Sequence, residues 1–323
     1  EPSFDSAGKL CGALLRKDGA DIQIKAKLTA DASGIGAAVR VKLPNGYGVE
    51  NFVTSPRDQF YVVLRYVRLE NSVKDKPKFT KTWPYYKTWI APQQNADGAI
   101  LGVGANLSFD YAERCWERFC AKGFLPEYET RYIEQSSTPY RRPPYSFVAD
   151  GFIALGDAAC ITSPWSGEGV PYAWLLCSIA AEEFAKAMKN GAYPTQADVW
   201  AINTRYQSSQ GAEFAQDLAM LSGAVDCSPE ENNYEFAHSV IFEDESEKGK
   251  HNLLLGLLKG MLSGGISVKS LINLVKAAGI GGKILKHYRS FPQDQTNFSA
   301  WVAKADALWA KAGTMADLAE RDS

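Results

Sequence analysis

The clearest pattern of apolar and polar positions is a short apolar run, a loop and a long helical repeat between Phe152 and Met188. The run from Phe152 to Leu155 stands between Gly151 and Gly156, which is typical of a buried strand in an α/β sheet. After the loop, apolar residues return every three or four positions and predict an amphipathic helix of about five turns. Its predicted apolar face consists of Val170, Ala173, Trp174, Cys177, Ala180, Ala181, Phe184, Ala185 and Met188.

The ends of this helix are also marked in the sequence. Pro171 suits a first helical turn, where its missing N–H is not needed, and Pro194 lies beyond the expected end. Glu182 and Lys186 are predicted to pair one turn apart. The amino end of such a helix carries free N–H groups and a partial positive charge. It points to the carboxyl edge of the preceding strand, where open α/β sheets bind ligands.

The first 43 residues show the alternation of a β-hairpin. Lys9 to Arg16 predicts one strand, Asp18-Gly19 a turn, and the alternating stretch from Ile22 to Leu28 a second strand. The second strand is expected to run directly into the loop Asp31–Gly34. This part of the chain is therefore predicted to be β-structure that ends in a loop.

Residues 44–145 are rich in β-branched and aromatic residues and predict an antiparallel sheet with one short helix. Phe60 to Tyr66 alternate as a strand, and a lysine-rich run at residues 74–78 interrupts the pattern. Further elements are predicted at Thr82–Ile90, at Ala99–Ala105 after an Asp97-Gly98 turn, at Asp110–Gly123 as a helix, and at Tyr128–Gln135.

Residues 196–323 are predicted to be helical. The expected helices are Gln196–Leu221 with a weak point at Gly211, the leucine-rich stretch around residues 253–261, Ser267–Ala278, Gly281–Tyr288 and Asn297–Ala312. The acidic stretch 243–247 is expected to be solvated. Burial against other helices is the favoured interpretation of the leucine-rich face. The alternative is contact with lipid or closure over a prenyl chain, with Lys259 and Lys269 at the surface.

Composition excludes several classes of function. A net charge of −2 and a pI near 6.0 argue against a nucleic-acid partner. No apolar run is long enough to cross a bilayer as a helix, and no signal-peptide pattern is present. The six cysteines lack metal-site and iron–sulfur spacing, and the three histidines are far apart, so no metal site is expected. Reduced thiols predict a cytoplasmic protein, with peripheral membrane contact left open.

The loop between the predicted strand and helix holds the residue types of a ligand site. Asp157 stands just past the carboxyl end of the strand. Pro164, Gly167 and Gly169 allow tight turns and let the backbone approach a bound molecule closely. Taken alone, these residues also suit a capped turn and an ordinary loop.

In full, the order Gly156-Asp157-Ala158-Ala159, Pro164 and Gly167-Glu168-Gly169-Val170, before an alanine-rich helix, resembles the second FAD motif of the p-hydroxybenzoate-hydroxylase-like flavoproteins. The closest resemblance is to the geranylgeranyl-reductase branch. The resemblance implies that Asp157 binds the ribityl chain and that the loop and helix amino end face the pyrimidine side of the flavin ring. An ionised carboxylate is a good acceptor for ribityl hydroxyls, and a helix amino end stabilises negative charge on the reduced ring.

A second stretch resembles the middle motif of the same family, where a strand end approaches the diphosphate region of FAD. It is Asp31-Ala32-Ser33-Gly34, followed by Arg40 six residues after the glycine. A structural partner for Arg40 is the alternative to a phosphate. The cofactor-binding residues implied by the two motifs are Gly156, Asp157, Ala158, Pro164, Gly167, Glu168, Gly169, Val170, Asp31 and Gly34.

Flavoproteins of this family open with a strand, a G-x-G-x-x-G turn and a helix that hold the FAD pyrophosphate. That unit does not occur in this sequence, so the resemblance implies that it lies upstream, lies on another chain or was lost. The predicted fold class is α/β (α+β). An incomplete FAD-binding domain comprises residues 1–43 and 146–195, an antiparallel-sheet substrate domain comprises 44–145, and a helical carboxy-terminal region comprises 196–323.

Aromatic residues supply the candidate substrate pocket. The tract from Tyr85 to Pro92 resembles the Y-x-W-x-F-P tract of the reductases but keeps only Trp89 and Pro92, so it leaves the substrate undefined. Tyr86 and Trp89 suit a cavity wall or a packed sheet face equally well. Trp165 lies in the cofactor loop itself and is expected to wall the substrate side of the flavin.

The resemblance implies an FAD-dependent oxidoreductase that transfers hydride from reduced flavin to a carbon–carbon double bond of a small apolar, isoprenoid-like substrate. A separate electron donor is implied, and no catalytic acid or base can be named. A flavin-dependent monooxygenase or halogenase is the first alternative, and a non-catalytic subunit of a flavoprotein complex is the second. Arg141 and Arg142, before Pro143-Pro144, are expected to be solvated rather than to bind an anion.

Overall fold

The computed structural model describes residues 1–69, 79–83, 86–94, 97–123, 125, 127–165, 167–225, 227–238 and 253–312. The strands in these ranges are β1 Pro2–Phe4, β2 Leu10–Lys17, β3 Ala20–Lys25, β4 Thr29–Asp31, β5 Gln59–Leu69, β6 Phe79–Trp83, β7 Tyr86–Pro92, β8 Gly98–Ala105, β9 Tyr128–Pro139, β10 Val148–Ala149 and β11 Phe152–Ala154. The α-helices are α1 Phe109–Cys120, α2 Val170–Ala187, α3 Ala201–Gln207, α4 Gln210–Val225, α5 Pro229–Ala237, α6 Leu253–Leu262, α7 Val268–Tyr288 and α8 Phe298–Trp309.

The chain forms two compact units. The described residues of unit 1 lie in Glu1–Ser55, Pro139–Leu221 and Gly279–Gly313, and those of unit 2 lie in Pro56–Thr138 and Ser222–Ala278. This division differs from the predicted one, because the carboxy-terminal helices do not form a region of their own. Ile284, Tyr288 and Trp301 belong to a core cluster of unit 1. In unit 2, the side chain of Asn233 on α5 bonds to the backbone of Thr82 on β6. The lysine-rich run 74–78, the acidic stretch 243–247 and Tyr85 lie outside the described residues.

Unit 1 contains two three-stranded sheets. One has the order β1-β2-β3, and its β2–β3 pair confirms the predicted hairpin. Asp18 and Gly19 both have positive φ, the backbone that two-residue hairpin turns require. The other sheet has the order β10-β11-β4 and contains the predicted strand after Gly151. The second hairpin strand ends at Lys25, and β4 is a separate strand in this other sheet rather than its continuation.

Helix α2 covers the core of unit 1 with a face that matches the predicted one only in part. Ala180 and Phe184 of the predicted face are buried, but so are Leu176 and Ile179, whereas Trp174 is 73% exposed. Lys186 pairs with Glu183 at 2.8 Å instead of with Glu182, which binds Arg205. The apolar repeat of α2 is broad enough for two faces, and contact with the sheet selects one of them.

Unit 2 contains the predicted antiparallel sheet, with the order β6-β7-β8-β5-β9. Helix α1 begins after Ser108, whose Oγ accepts a hydrogen bond from the N–H of Tyr111 at 3.1 Å. The helix packs on one face of the sheet, where Leu101 and Val103 meet Trp116. Helix α1 contacts β5, β7 and β8 of this sheet.

Two predicted helices, Ser267–Ala278 and Gly281–Tyr288, form the single helix α7. A Cβ on Gly281 would lie 3.0 Å from Cγ of Met220 on α4, so this glycine serves close helix packing rather than a helix end. The predicted weak point at Gly211 lies at the start of α4, just after the break between α3 and α4. No helix in the described ranges is long and apolar enough to span a membrane.

Candidate functional site

Two strands of unit 1 bring the two sequence motifs together. β4 and β11 are parallel, with Thr29 opposite Phe152 and Asp31 opposite Ala154. The N–H of Leu155 donates to the carbonyl of Asp31 at 2.9 Å and extends this pairing by one residue. Because the carboxyl ends of parallel strands lie at the same edge, the loops after β4 and β11 leave the sheet side by side.

The first loop is organised by the carboxylate of Asp31, which is 1% exposed. One oxygen accepts hydrogen bonds from the N–H and hydroxyl of Ser33 at 3.1 and 2.6 Å. The other accepts from the N–H groups of Val39 and Arg40 at 3.0 and 2.7 Å. The carboxylate therefore shapes its own loop. Gly34 has a φ of 76°, and a Cβ there would meet nothing within 4 Å, so its backbone is accessible to a ligand.

Arg40 joins the two loops. Its side chain is fully buried and donates to the carbonyls of Ala158, Glu50 and Phe52 at 2.7, 2.8 and 3.0 Å. Burial lowers the pKa of the guanidinium, and nearby Asp31 and Glu50 partly oppose that shift. The sequence left open whether Arg40 contacts a phosphate or a structural partner. In the structure, its side chain contacts backbone carbonyls of the protein.

The second loop starts with a turn of 3₁₀ helix at Gly156–Ala159. Gly156 has a φ of 58°, and a Cβ there would meet nothing within 4 Å. Asp157 is partly exposed, and its Oδ1 accepts a hydrogen bond from the hydroxyl of Thr162. Burial raises the pKa of Asp157, and the bond from Thr162 opposes the shift.

The loop then turns back to start helix α2. The N–H of Gly167, a residue with φ of 77°, donates to the carbonyl of Ser163 at 3.0 Å. Helix α2 starts after Gly169 with no side-chain cap on its first turn. A Cβ on Gly169 would lie 3.7 Å from Oδ1 of Asp157, so the uncapped helix end and the carboxylate are neighbours. Pro164 is buried, whereas Glu168 and Val170 are exposed around this end.

Asp217 is a candidate site residue that was not named from the sequence. It lies on α4 and accepts a hydrogen bond from the side chain of Trp165, in the loop before α2. Burial raises its pKa to about 6, the bond from Trp165 opposes the shift, and the charge of Glu213 adds to it. An acid between Ala215 and Leu218, both buried on α4, was the available signal. Its partner could not be read from sequence because the contact is not local.

Replacing Asp217 with asparagine is expected to raise the free energy of unfolding by about 2–3 kcal/mol at about pH 8, and by far less near pH 4.5. The pKa of Asp217 in the folded protein, about 6, lies above its ordinary value of 3.8. The folded state therefore loses stability relative to the unfolded state as the pH rises from the lower pKa to the higher one. Asparagine keeps an oxygen for Trp165 but carries no charge. Urea denaturation across pH measures the effect.

Glu213→Gln is the matched control for Asp217→Asn, since Glu213 is an exposed acid one turn earlier on the same helix. Its effect on stability is expected to stay within about 0.5 kcal/mol at both pH values. If the free energy of unfolding of Asp217→Asn had the same pH dependence as that of the original protein, the carboxylate of Asp217 would not be the group that titrates.

The candidate substrate-pocket residues lie in different places. Tyr86 belongs to the core of unit 2 under α1, where burial raises its pKa to about 12. Trp89 lies on the opposite face of β7, and its indole lies so close to Gly102 that a Cβ there would clash with it. Pro92 is exposed at the end of the same strand. The structure separates Tyr86 from Trp89, and a pocket role for the tract stays a prediction.

The expectation that Arg141 and Arg142 are solvated is wrong. Arg142 makes two hydrogen bonds to the carboxylate of Glu50, at 2.7 and 2.9 Å, and lies over the ring of Tyr145 at 3.8 Å. The guanidinium of Arg141 lies 3.3 Å from the ring centre of Phe52. Both partners come from a distant part of the chain, which local sequence does not reveal.

Among the described residues, no group of histidine, cysteine, aspartate and glutamate side chains could hold a metal ion. The six cysteines are free thiols. Cys160 closes the turn after Asp157 with a φ of 54°, and its Sγ lies 3.9 Å from the hydroxyl of Thr54.

No protein-family profile matches the chain. The digeranylgeranylglycerophospholipid reductase of Sulfolobus acidocaldarius is 22% identical over 321 residues, which cover 95% of this chain and 70% of that protein. This chain is a homologue of that reductase. The reductase of the same name from Methanoculleus marisnigri is 31% identical over 106 residues, 32% of this chain and 26% of that protein.

Solved structures show the same fold as this reductase homologue. A geranylgeranyl bacteriochlorophyll reductase-like protein from Thermoplasma acidophilum matches with a TM-score of 0.62 and 14% identity, over 88% of this chain and 68% of that one. The flavin-dependent halogenase CmlS matches with a TM-score of 0.50 and 16% identity, over 92% of this chain and 52% of that one. The resemblance to reductases of the geranylgeranyl type and the mixed α/β fold class are confirmed.

Proposed function

We propose that this chain is an FAD-dependent oxidoreductase that transfers hydride from reduced flavin to a carbon–carbon double bond of an apolar, isoprenoid-like substrate. The observation that carries the proposal is that the Asp31–Gly34 loop and the Gly156–Ala159 loop leave one edge of the β4–β11 pair, beside the uncapped start of α2. Homology with a named reductase along 95% of the chain supports the same class of reaction.

The residues at this edge fit a flavin. Gly34, Gly156 and Gly167 each have positive φ, and a Cβ on any of them would meet nothing within 4 Å. Their backbone can therefore approach a planar ligand without side chains in the way. Asp157 supplies a carboxylate for ribityl hydroxyls, and the start of α2 supplies N–H groups for the pyrimidine oxygens. Bound FAD would supply the two-electron chemistry itself.

The other residues of the candidate site are proposed to position the flavin and the substrate. Trp165 walls the substrate side of the ring, and Asp217 holds Trp165 in position through their hydrogen bond. Trp89 and Pro92 are proposed to line the apolar substrate. Electrons would come from a separate donor.

The test uses the full-length protein that carries this sequence. It is expected to purify with bound flavin. After anaerobic reduction, it is expected to add two hydrogen atoms to a geranylgeranylated lipid, as measured by mass spectrometry of the product. Reduction in deuterated buffer separates the hydrogen that comes from flavin from the one that comes from solvent.

Other outcomes point to the alternative functions. Rapid reoxidation by oxygen with a hydroxylated or halogenated product would favour the monooxygenase or halogenase alternative, whose fold the chain shares. A protein that binds no flavin, alone or with any partner found by native mass spectrometry, would favour a non-catalytic subunit and contradict the proposal.

A further inference from the structure

In unit 2, α6 and the part of α7 up to Ala278 each expose an apolar stripe. The favoured interpretation of burial holds for Leu257, which is buried, but not for Leu258, which is exposed. Leu262 is 82% exposed, and Ile272 is 48% exposed. Exposed apolar side chains that recur on neighbouring turns of a helix form an apolar patch, and such patches mark sites of interaction. The exposed apolar residues of the two helices up to Ala278 are Leu255, Leu258, Leu262, Val268, Ile272 and Val275.

Each stripe lies on the side of its helix opposite to the buried side. Leu258 and Leu262 are each two residues, or about 200° around the axis, from the buried Gly260. Ile272 stands in the same relation to the buried Ser270 and Leu274. The two helices therefore have separate inner and outer faces.

The inner faces of both helices contact α5. Tyr234 of α5 lies against Gly260 and Gly265, so closely that a Cβ on Gly265 would clash with its ring. Glu231 of α5 accepts hydrogen bonds from the N–H of Ser267 at 2.7 Å and from the hydroxyl of Ser270 at 2.8 Å. Because α5 fixes both inner faces, the two apolar stripes are directed away from it.

The charge of the segment that contains α6 and α7 indicates which kind of partner surface these helices would bind. From Leu253 to Tyr288 the sequence contains no aspartate or glutamate. Lys259, Lys269 and Lys276 are exposed beside the apolar stripes. Apolar side chains flanked by lysines, with no acid in the segment, are the pattern of helices that lie in the interface of an anionic bilayer.

We propose that the outer faces of α6 and α7 bind the surface of an anionic lipid membrane. The apolar stripes enter the boundary between headgroups and acyl chains, and the lysines contact the anionic headgroups. No residue of this surface belongs to the Asp31 and Asp157 loops. The inference therefore does not depend on the proposed oxidoreductase activity.

The test is sedimentation of the full-length protein with vesicles of phosphatidylglycerol or of phosphatidylcholine. Binding to phosphatidylglycerol vesicles is expected, with at least about tenfold weaker binding to phosphatidylcholine and a further decrease as salt screens the lysines. The double variant Leu262→Asp/Ile272→Asp is expected to bind phosphatidylglycerol at least about tenfold more weakly. Both residues are exposed, so the variant retains its fold, which circular dichroism checks.

Ile133→Asp is the matched control, because Ile133 is an apolar residue of unit 2 with the same 48% exposure as Ile272, on strand β9. It is expected to bind vesicles as the original protein does. Equal binding by the double variant, or no binding to either vesicle, would overturn the proposal. So would a dimer in solution that the double variant converts to a monomer, because a second copy would then cover this face.

Discussion

Replacing Arg40 with methionine is expected to lower the free energy of unfolding of unit 1 by about 3 kcal/mol or more. The fully buried guanidinium donates to the carbonyls of Ala158, Glu50 and Phe52, and methionine would leave all three without these donors. It would also leave the carboxylate of Asp31, 1% exposed, without its nearby cation. Chemical denaturation monitored by circular dichroism measures the change.

Arg16→Met is the control for this prediction. Arg16 forms an exposed ion pair with Asp21 on the β2–β3 hairpin, and such pairs contribute little to stability. A change within about 0.5 kcal/mol is expected. If Arg40→Met were no more destabilising than Arg16→Met, the loops after β4 and β11 would not depend on the buried guanidinium.

Replacing Asp157 with alanine is expected to weaken FAD binding by about 10-fold to 100-fold, which corresponds to the loss of hydrogen bonds to a charged acceptor. This prediction rests on the proposed function. Asp157→Asn keeps the shape and one acceptor oxygen, so an intermediate loss is expected. Flavin fluorescence during titration of the apoprotein measures both dissociation constants.

Asp21→Ala provides the control for Asp157, since Asp21 is an exposed carboxylate on the hairpin of the same unit. Its flavin affinity is expected to equal that of the original protein. Unchanged affinity in Asp157→Ala, with flavin still bound, would mean that the Gly156–Gly169 motif has been misassigned even if the protein is a flavoprotein.

The elements were predictable where local pattern and backbone chemistry agree. The β2–β3 hairpin followed from alternation around Asp18-Gly19, whose positive φ angles the turn requires. The strand, loop and helix from Phe152 to Ala187 followed from the change in apolar period. The parallel pairing of β4 with β11 was not predicted, because pairing joins residues far apart in sequence.

The site was predictable in outline and not in its contacts. Gly156, Asp157 and Gly167 were named from their order and spacing, and the structure places the loop that contains them at the edge of the parallel pair. The bond between Asp217 and Trp165 could not be inferred, because the two residues lie on separate elements. The contact of Arg142 with Glu50 was missed for the same reason.

By itself, the sequence determined the mixed α/β class, the strand–loop–helix at the candidate site and the absence of acids from Leu253 to Tyr288, because these depend on local composition and period. The tertiary structure decided which side of each amphipathic helix is buried. It buried Leu176 rather than Trp174 on α2, and on α6 it buried Leu257 but left Leu255, Leu258 and Leu262 exposed. A repeat with two apolar faces fits either arrangement, and only the neighbouring elements remove one face from water.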